Sequence, residues 1–171
     1  MQRESERSRV YVTVVQPQDA SAVADVRALL EEYLAWLGPL VCSSTLPGEI
    51  ASLPLPYAPP DGALLIARDG AGETLGCVGI RASVEQACEA KRLYVRADVR
   101  RQGIGRVLMR AAMDQARAMG YREMQLTTLP DEMPGVVAMY RSLGFVEADP
   151  YRHHGGQPAD GVLLTYMRRG L

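Results

Sequence analysis

The stretch Arg100-Arg101-Gln102-Gly103-Ile104-Gly105 follows a strand-like run, Lys91-Arg92-Leu93-Tyr94-Val95, and leads into a helical pattern from Arg106 to Met119. A strand that ends in an Arg- and Gly-rich turn and opens a helix is suited to holding a phosphate. Its glycines let the backbone approach a ligand closely. The first helical turn offers N–H groups without intrahelical partners at the positive end of the helix dipole.

Charge points to the same place. Lys91 to Arg110 holds seven Lys or Arg and one acid, Asp98, a net +6 in a chain that is −1 overall, so the remainder carries −7. Basic charge concentrated at one turn suits a polyanionic small molecule, although a solvated basic face would give the same count. The near-neutral total argues against general nucleic-acid binding, which draws on an excess of basic charge.

The 171 residues make one domain, 1–171, the default, with residues 1–8 a polar, flexible terminus. An apolar content of 47% is enough for a core. Cys42, Cys77 and Cys88 are odd in number and lack metal spacing. Reduced thiols in a cytoplasmic protein are therefore expected, with no metal. The start carries no apolar stretch of signal-peptide or membrane-spanning length.

Val10 to Val15 reads as a strand, and Val23, Val26, Leu30, Tyr33, Leu34 and Leu37 as a helix stopped by Gly38-Pro39. Five prolines between Pro47 and Pro60 predict an irregular segment with room for one helical turn. Ala63 to Arg68 and Thr74 to Ala82 read as a hairpin around Asp69 to Glu73, and Cys88 to Arg96 as a further strand. A helix from Ile104 to Met119 ends at Gly120, a strand runs from Arg122 to Thr128, and Val136, Val137, Tyr140 and Leu143 mark a last helix closed by Gly144. Val146 to Tyr151 and Val162 to Arg168 form a final strand pair. This order predicts an α/β (α+β) fold: a mixed, mostly antiparallel sheet of about six to seven strands with helices on both faces.

Two motifs carry a resemblance. Arg100-x-x-Gly103-x-Gly105 matches the [Arg/Gln]-x-x-Gly-x-[Gly/Ala] signature of the GNAT superfamily of N-acetyltransferases, and Ala138 to Phe145 resembles that family's late Tyr-x-x-x-Gly-Phe element. Lys91 to Val95 is similar to its fourth strand. The resemblance implies acetyl-CoA as co-substrate, lying where the fourth and fifth strands splay. It implies that the pyrophosphate rests on backbone N–H groups of Arg101, Gln102, Gly103, Ile104, Gly105 and Arg106, after Arg100. The pantetheine arm would pair as an extra strand with the backbone of Leu93, Tyr94 and Val95. One departure stands out: many members have Asn seven residues before this Tyr, where this chain has Met133, followed by Pro134. That side-chain contact is lost, so cofactor binding leans on backbone groups, while Pro134 suits a first helical turn.

Acetyl transfer from a thioester to an amine needs a base for the ammonium, a donor for the tetrahedral oxyanion and a proton donor for the leaving thiolate. Glu89, eleven residues before Arg100, is the candidate base, acting through water, with a solvent-facing strand Glu as the competing reading and Glu85 a weaker candidate. A backbone N–H near Val95 is the candidate oxyanion donor. Tyr140 matches the family position whose phenol faces the CoA sulfur and is the candidate acid. Its competing reading is core filling on the buried helix face.

Tyr33, Trp36, Tyr57, Tyr94, Tyr151, His153 and His154 could line an acceptor pocket. Core packing for Tyr33 and Trp36 and a surface loop for the His pair are the favoured readings.

A dinucleotide fold lacks its third glycine here, and a P-loop lacks Gly-Lys-Ser/Thr. The expectation is a cytoplasmic acetyltransferase acting on a primary amine of a small molecule or peptide, with no nucleic-acid or membrane partner. The alternative is a non-catalytic acyl-CoA-binding regulatory module. The acidic remainder mildly favours a cationic acceptor. Homodimers are common in the family, and nothing in the residues requires one.

Overall fold

The computed structural model describes residues 9–38, 45–129, 134–151 and 164–171. The described elements are β1 (Val10–Val14), α1 (Ala20–Leu37), α2 (Leu46–Ala51), a 3-10 turn (Leu55–Tyr57), β2 (Ala63–Asp69), β3 (Thr74–Ala82), β4 (Ala87–Val95), a second 3-10 turn (Ala97–Val99), α3 (Ile104–Ala118), β5 (Glu123–Thr128), α4 (Pro134–Ser142), β6 (Val146–Glu147) and β7 (Thr165–Gly170). The described strands form one seven-stranded sheet in the order β1-β2-β3-β4-β5-β7-β6. Every adjacent pair is antiparallel except β4 and β5. The mixed, mostly antiparallel sheet expected from the element order is therefore present.

Strand alternation builds a core on each face. On β2, Leu65 and Ala67 join the cluster that contains Leu108, Met109 and Ala112 of α3 and Tyr140 of α4. Leu64 and Ile66 join the opposite cluster with Val26, Leu29 and Leu30 of α1 and Leu46 and Ile50 of α2. Because both faces are covered, β2 and β3 read as continuous apolar runs rather than alternating ones. Asp19 caps α1 by accepting a hydrogen bond from the Ala22 N–H at 3.0 Å. Helix α3 ends in paired return bonds from Gly120 to the Arg117 carbonyl and from Tyr121 to the Ala116 carbonyl.

Two expectations need correction. The proline-rich segment is more regular than its composition implies. Pro47 occupies the first turn of α2, where a missing N–H costs nothing, and Leu46 and Ile50 bury that helix. The final strand pair is shorter on its first side, since β6 covers only Val146–Glu147. The flexible terminus expected at residues 1–8, the start of the long second strand at Val162, and Cys42 all lie outside the described residues.

A bulge in β4 shapes the site. Cys77 pairs with Tyr94 and Gly79 with Lys91, so β4 carries one extra residue across that step. Arg92 sits in the bulge with φ +58°. Lys91 and Arg92, consecutive in sequence, consequently both reach toward α2, where Glu49 feels the charge of each. Directly beneath, the Tyr57 ring lies on Gly79: a Cβ there would stand 2.5 Å from the ring.

Candidate active site

Strands β4 and β5 pair at Ala87–Glu123, Cys88–Met124 and Glu89–Gln125, and nowhere beyond. Past that step β4 continues to Val95 beside β3, and β5 continues to Thr128 beside β7. The two strands therefore part into a fork whose inner edges carry backbone groups without a strand partner. Leu93, Tyr94 and Val95 form one arm. Leu93 and Val95 lean on the α3 side, and Tyr94 is buried on the α1 side.

The Arg- and Gly-rich turn closes the wide end of the fork. Arg101 (φ +63°) and Gly103 (φ +81°) both take left-handed conformations. Gly103 immediately precedes Ile104, and no side chain caps α3 there. A Cβ at Gly103 would meet nothing within 4 Å, so the turn faces open space. A helix start without a side-chain cap leaves first-turn N–H groups for an anion. At Gly105 a Cβ would lie 3.4 Å from the Met139 sulfur and 3.8 Å from Val95, which puts the helix start against both the end of β4 and α4. Gln102 is exposed, Arg106 half-buried and Ile104 buried.

The basic window does not form one patch. Lys91 and Arg92 are drawn into a buried network on the α2 side, and Arg96 lies 3.8 Å from Glu32 and 3.9 Å from Asp98. Arg100 folds back, donating from Nε to the Val95 carbonyl at 2.9 Å, with its guanidinium 4.8 Å above the Trp36 ring and 5.6 Å from that of Tyr94. Arg101 and Arg106 remain at the turn without a salt bridge among the described residues.

Glu89 stands at the closed end of the fork and is 0% exposed. The solvent-facing reading of this residue is therefore wrong. Its face of β4 is the α1–α2 face, and the Lys91 ammonium lies 3.9 Å from its Oε1. Lys91 is only 7% exposed, and burial pushes its ammonium down to about 8, with the charge of Glu89 opposing. Gln125, opposite Glu89, accepts from the Ser83 hydroxyl at 3.0 Å and donates to Glu123 at 2.8 Å. Tyr151 packs edge-on against Tyr166 at 5.3 Å; burial pushes its phenol up, and the charge of nearby Glu89 adds to the effect.

Tyr140 comes from the other side of the fork. It is buried, 5.7 Å from the Phe145 ring, and burial, followed by the charge of Tyr33, pushes its phenol up. A shift in this direction favours the protonated phenol. It can donate a hydrogen bond to a group bound beside it.

The expected acceptor lining divides. Tyr33 stacks on Trp36 at 6.2 Å and tilts against Tyr94 at 5.4 Å, and Trp36 is 44% exposed, so core packing does not describe it. Tyr57 is core: it is buried and donates to Glu49 at 2.8 Å. Met133, His153 and His154 lie outside the described residues. Cys77 and Cys88 are free and buried, as expected, and burial pushes both thiols up to about 12.

Among the described residues no cluster of His, Cys, Asp or Glu could hold a metal ion, and no helix is long and apolar enough to cross a membrane.

The Glu49 network was not anticipated. Arg92 donates to both Glu49 oxygens at 2.8 Å and to the Thr45 hydroxyl at 3.1 Å. Arg81 approaches the same carboxylate at 4.0 Å. Burial raises the Glu49 carboxyl, but the bonds and charge of Arg92 outweigh it and hold the group below its ordinary range. These residues are 43 positions apart, and no local pattern links them.

The profile of the acetyltransferase (GNAT) family matches residues 27–145. The chain is 35% identical to an N-acetyltransferase of Schizosaccharomyces pombe over 94% of each chain. It is 32% identical to an IAA acetyltransferase of Azospirillum brasilense, covering 88% of this chain and 91% of that one. Among solved structures, a GNAT phosphinothricin acetyltransferase of Sinorhizobium meliloti, determined with acetyl-CoA, superimposes with a TM-score of 0.67 over 95% of this chain and 88% of that one at 19% identity. The chain belongs to the acetyltransferase (GNAT) family and is an acetyl-CoA-dependent acyltransferase.

Proposed function

We propose that this enzyme transfers the acetyl group of acetyl-CoA to a primary amine by direct attack in a ternary complex. The observation that carries the reading is the fork itself: its unpaired inner edges open toward the uncapped start of α3, and the buried Glu89 sits at its closed end. Pyrophosphate would accept from the N–H groups of Arg101 to Arg106, while Arg100 holds the turn through Val95 and Trp36. Pantetheine amides would pair with the free edge at Leu93 to Val95.

Glu89, through water, takes the proton of the acceptor ammonium, whose ordinary pKa is about 10. The amine nitrogen then bonds to the thioester carbon. A backbone N–H near Val95 stabilises the oxyanion, the attacking nitrogen releases its second proton to water, and collapse breaks the C–S bond. Tyr140 donates a hydrogen bond to the departing thiolate, which ends as CoA-SH with a solvent proton. The free thiols of Cys77 and Cys88 fit a reducing, cytoplasmic setting.

The test is thiol release from acetyl-CoA by the purified protein across a panel of primary amines. Amine-dependent release that Glu89→Gln abolishes is expected. Acetyl-CoA binding without release for any amine would instead identify a non-catalytic acyl-CoA-binding module.

A further inference from the structure

On the Glu89 face of the sheet, Arg81 and Lys91 keep hydrogen-bonding capacity unused among the described residues. Arg81 is the cross-strand partner of Glu89, so the two side chains leave the same face of the sheet as direct neighbours, with Cβ atoms about 5 Å apart. The nearest described carboxylate to the Arg81 guanidinium is Glu49 at 4.0 Å. That carboxylate is already taken by two bonds from Arg92 and one from the Tyr57 hydroxyl.

Neither Arg81 nor Lys91 makes a side-chain hydrogen bond among the described residues. The Arg81 side chain is 23% exposed, so solvent reaches part of it. Among the described residues, the ion pairs of Arg81, Lys91 and Arg92 are with Glu49 and Glu89. The next acid along the face, Glu123, is bonded to Gln125.

We propose that the acceptor is an α-amino acid, an amine with a carboxylate on the same carbon, held with its amine at Glu89 and its carboxylate on Arg81. A carboxylate and an amine one carbon apart match a guanidinium and a carboxylate that are cross-strand neighbours. The planar guanidinium suits two parallel bonds to a carboxylate. A polyamine carries no carboxylate to occupy the Arg81 guanidinium. This inference rests on Glu89 being the base.

The test is a matched comparison on the full-length protein, with thiol release from acetyl-CoA as readout. Each L-amino acid is measured against its own C-terminal amide and against the corresponding decarboxylated amine. The free acid of at least one side-chain class should exceed its amide in kcat/KM by about 10- to 100-fold, the scale of a charge-assisted contact. Arg81→Met should bring that ratio to within about threefold, and Arg81→Lys should restore part of it.

Amides or diamines that match or outrun the free acids would overturn the inference and leave the acetyltransfer reading standing. Failure of every amine, with acetyl-CoA still bound, would overturn both. The wild-type comparison decides the matter even if Arg81→Met does not fold.

Discussion

Glu89 faces Gln125 across the last paired step of the parallel β4–β5 ladder, and the strands separate immediately beyond it. A fully buried carboxylate at such a point is costly unless other groups compensate it, and Lys91 at 3.9 Å supplies part of that compensation. The proposed mechanism sets an amine, attacking a thioester between the strands, one water away from this carboxylate.

Glu89→Gln keeps the side chain's shape and removes its basicity. Turnover should fall by about 10²- to 10⁴-fold, the usual scale of general-base catalysis, while acetyl-CoA affinity stays within about threefold. Steady-state kinetics paired with calorimetry checks both halves. Undiminished turnover would remove Glu89 from the mechanism.

Gly103→Asp places a negative side chain where the turn now meets open space, at a left-handed backbone position. Acetyl-CoA affinity should drop by at least about 100-fold through like-charge repulsion at the pyrophosphate. The melting temperature without ligand should shift by only a few degrees, because no packed atom is displaced. Normal affinity in titration calorimetry would place the pyrophosphate elsewhere.

Tyr140→Phe removes the donor assigned to the leaving thiolate and preserves the packing against Phe145. kcat should fall about tenfold or more with KM for acetyl-CoA little changed, the signature of a contact made in the transition state. An unchanged kcat would return Tyr140 to a core-filling role.

The Glu49–Arg92 pair makes a separate prediction about stability. Arg92→Met strands the Glu49 carboxylate in the core and should cost about 3–5 kcal/mol in urea unfolding, whereas removing both charges together should cost much less. The pair also sets an acid sensitivity. The folded-state pKa of Glu49 is depressed, so its contribution is complete above the ordinary carboxyl value of about 4.3. It is lost as the pH falls from there through the lower folded value. Wild-type stability should therefore decline more steeply below about pH 4 than that of the double Glu49→Leu, Arg92→Met variant. Parallel declines would show that Glu49 does not titrate as the structure implies.

Periodicity made most elements legible. The α3 stripe of Ile104, Leu108 and Ala112 and the hairpin turn at Asp69 to Glu73 follow from local chemistry, and so do the elements around them. The turn at Arg100 to Gly105 was legible for the same reason: strand, glycines and helix are contiguous. Proline content left α2 legible only as a single turn, because it does not distinguish a first-turn Pro47, which is tolerated, from one that would break the helix.

The basic window misled in a more instructive way. Strand placement and the bulge at Arg92 send Lys91 and Arg92 to a buried wall. Arg96 and Arg100 find partners on or beside α1. Adjacency in sequence measured charge along the chain, whereas the fold distributes it over two faces. Arg81 could not be paired with Glu89 without the β3–β4 register, and a one-residue bulge makes that register unreadable from alternation alone.

The measurement that tests the central claim most directly is thermal unfolding of the purified protein with acetyl-CoA, CoA or NAD. A ligand that binds only the folded state adds about 2.7 kcal/mol at a hundred times its dissociation constant. Acetyl-CoA and CoA should raise the melting temperature clearly, and NAD should not. No shift at millimolar acetyl-CoA would mean that the fork and the Arg100–Gly105 turn do not form a working CoA site.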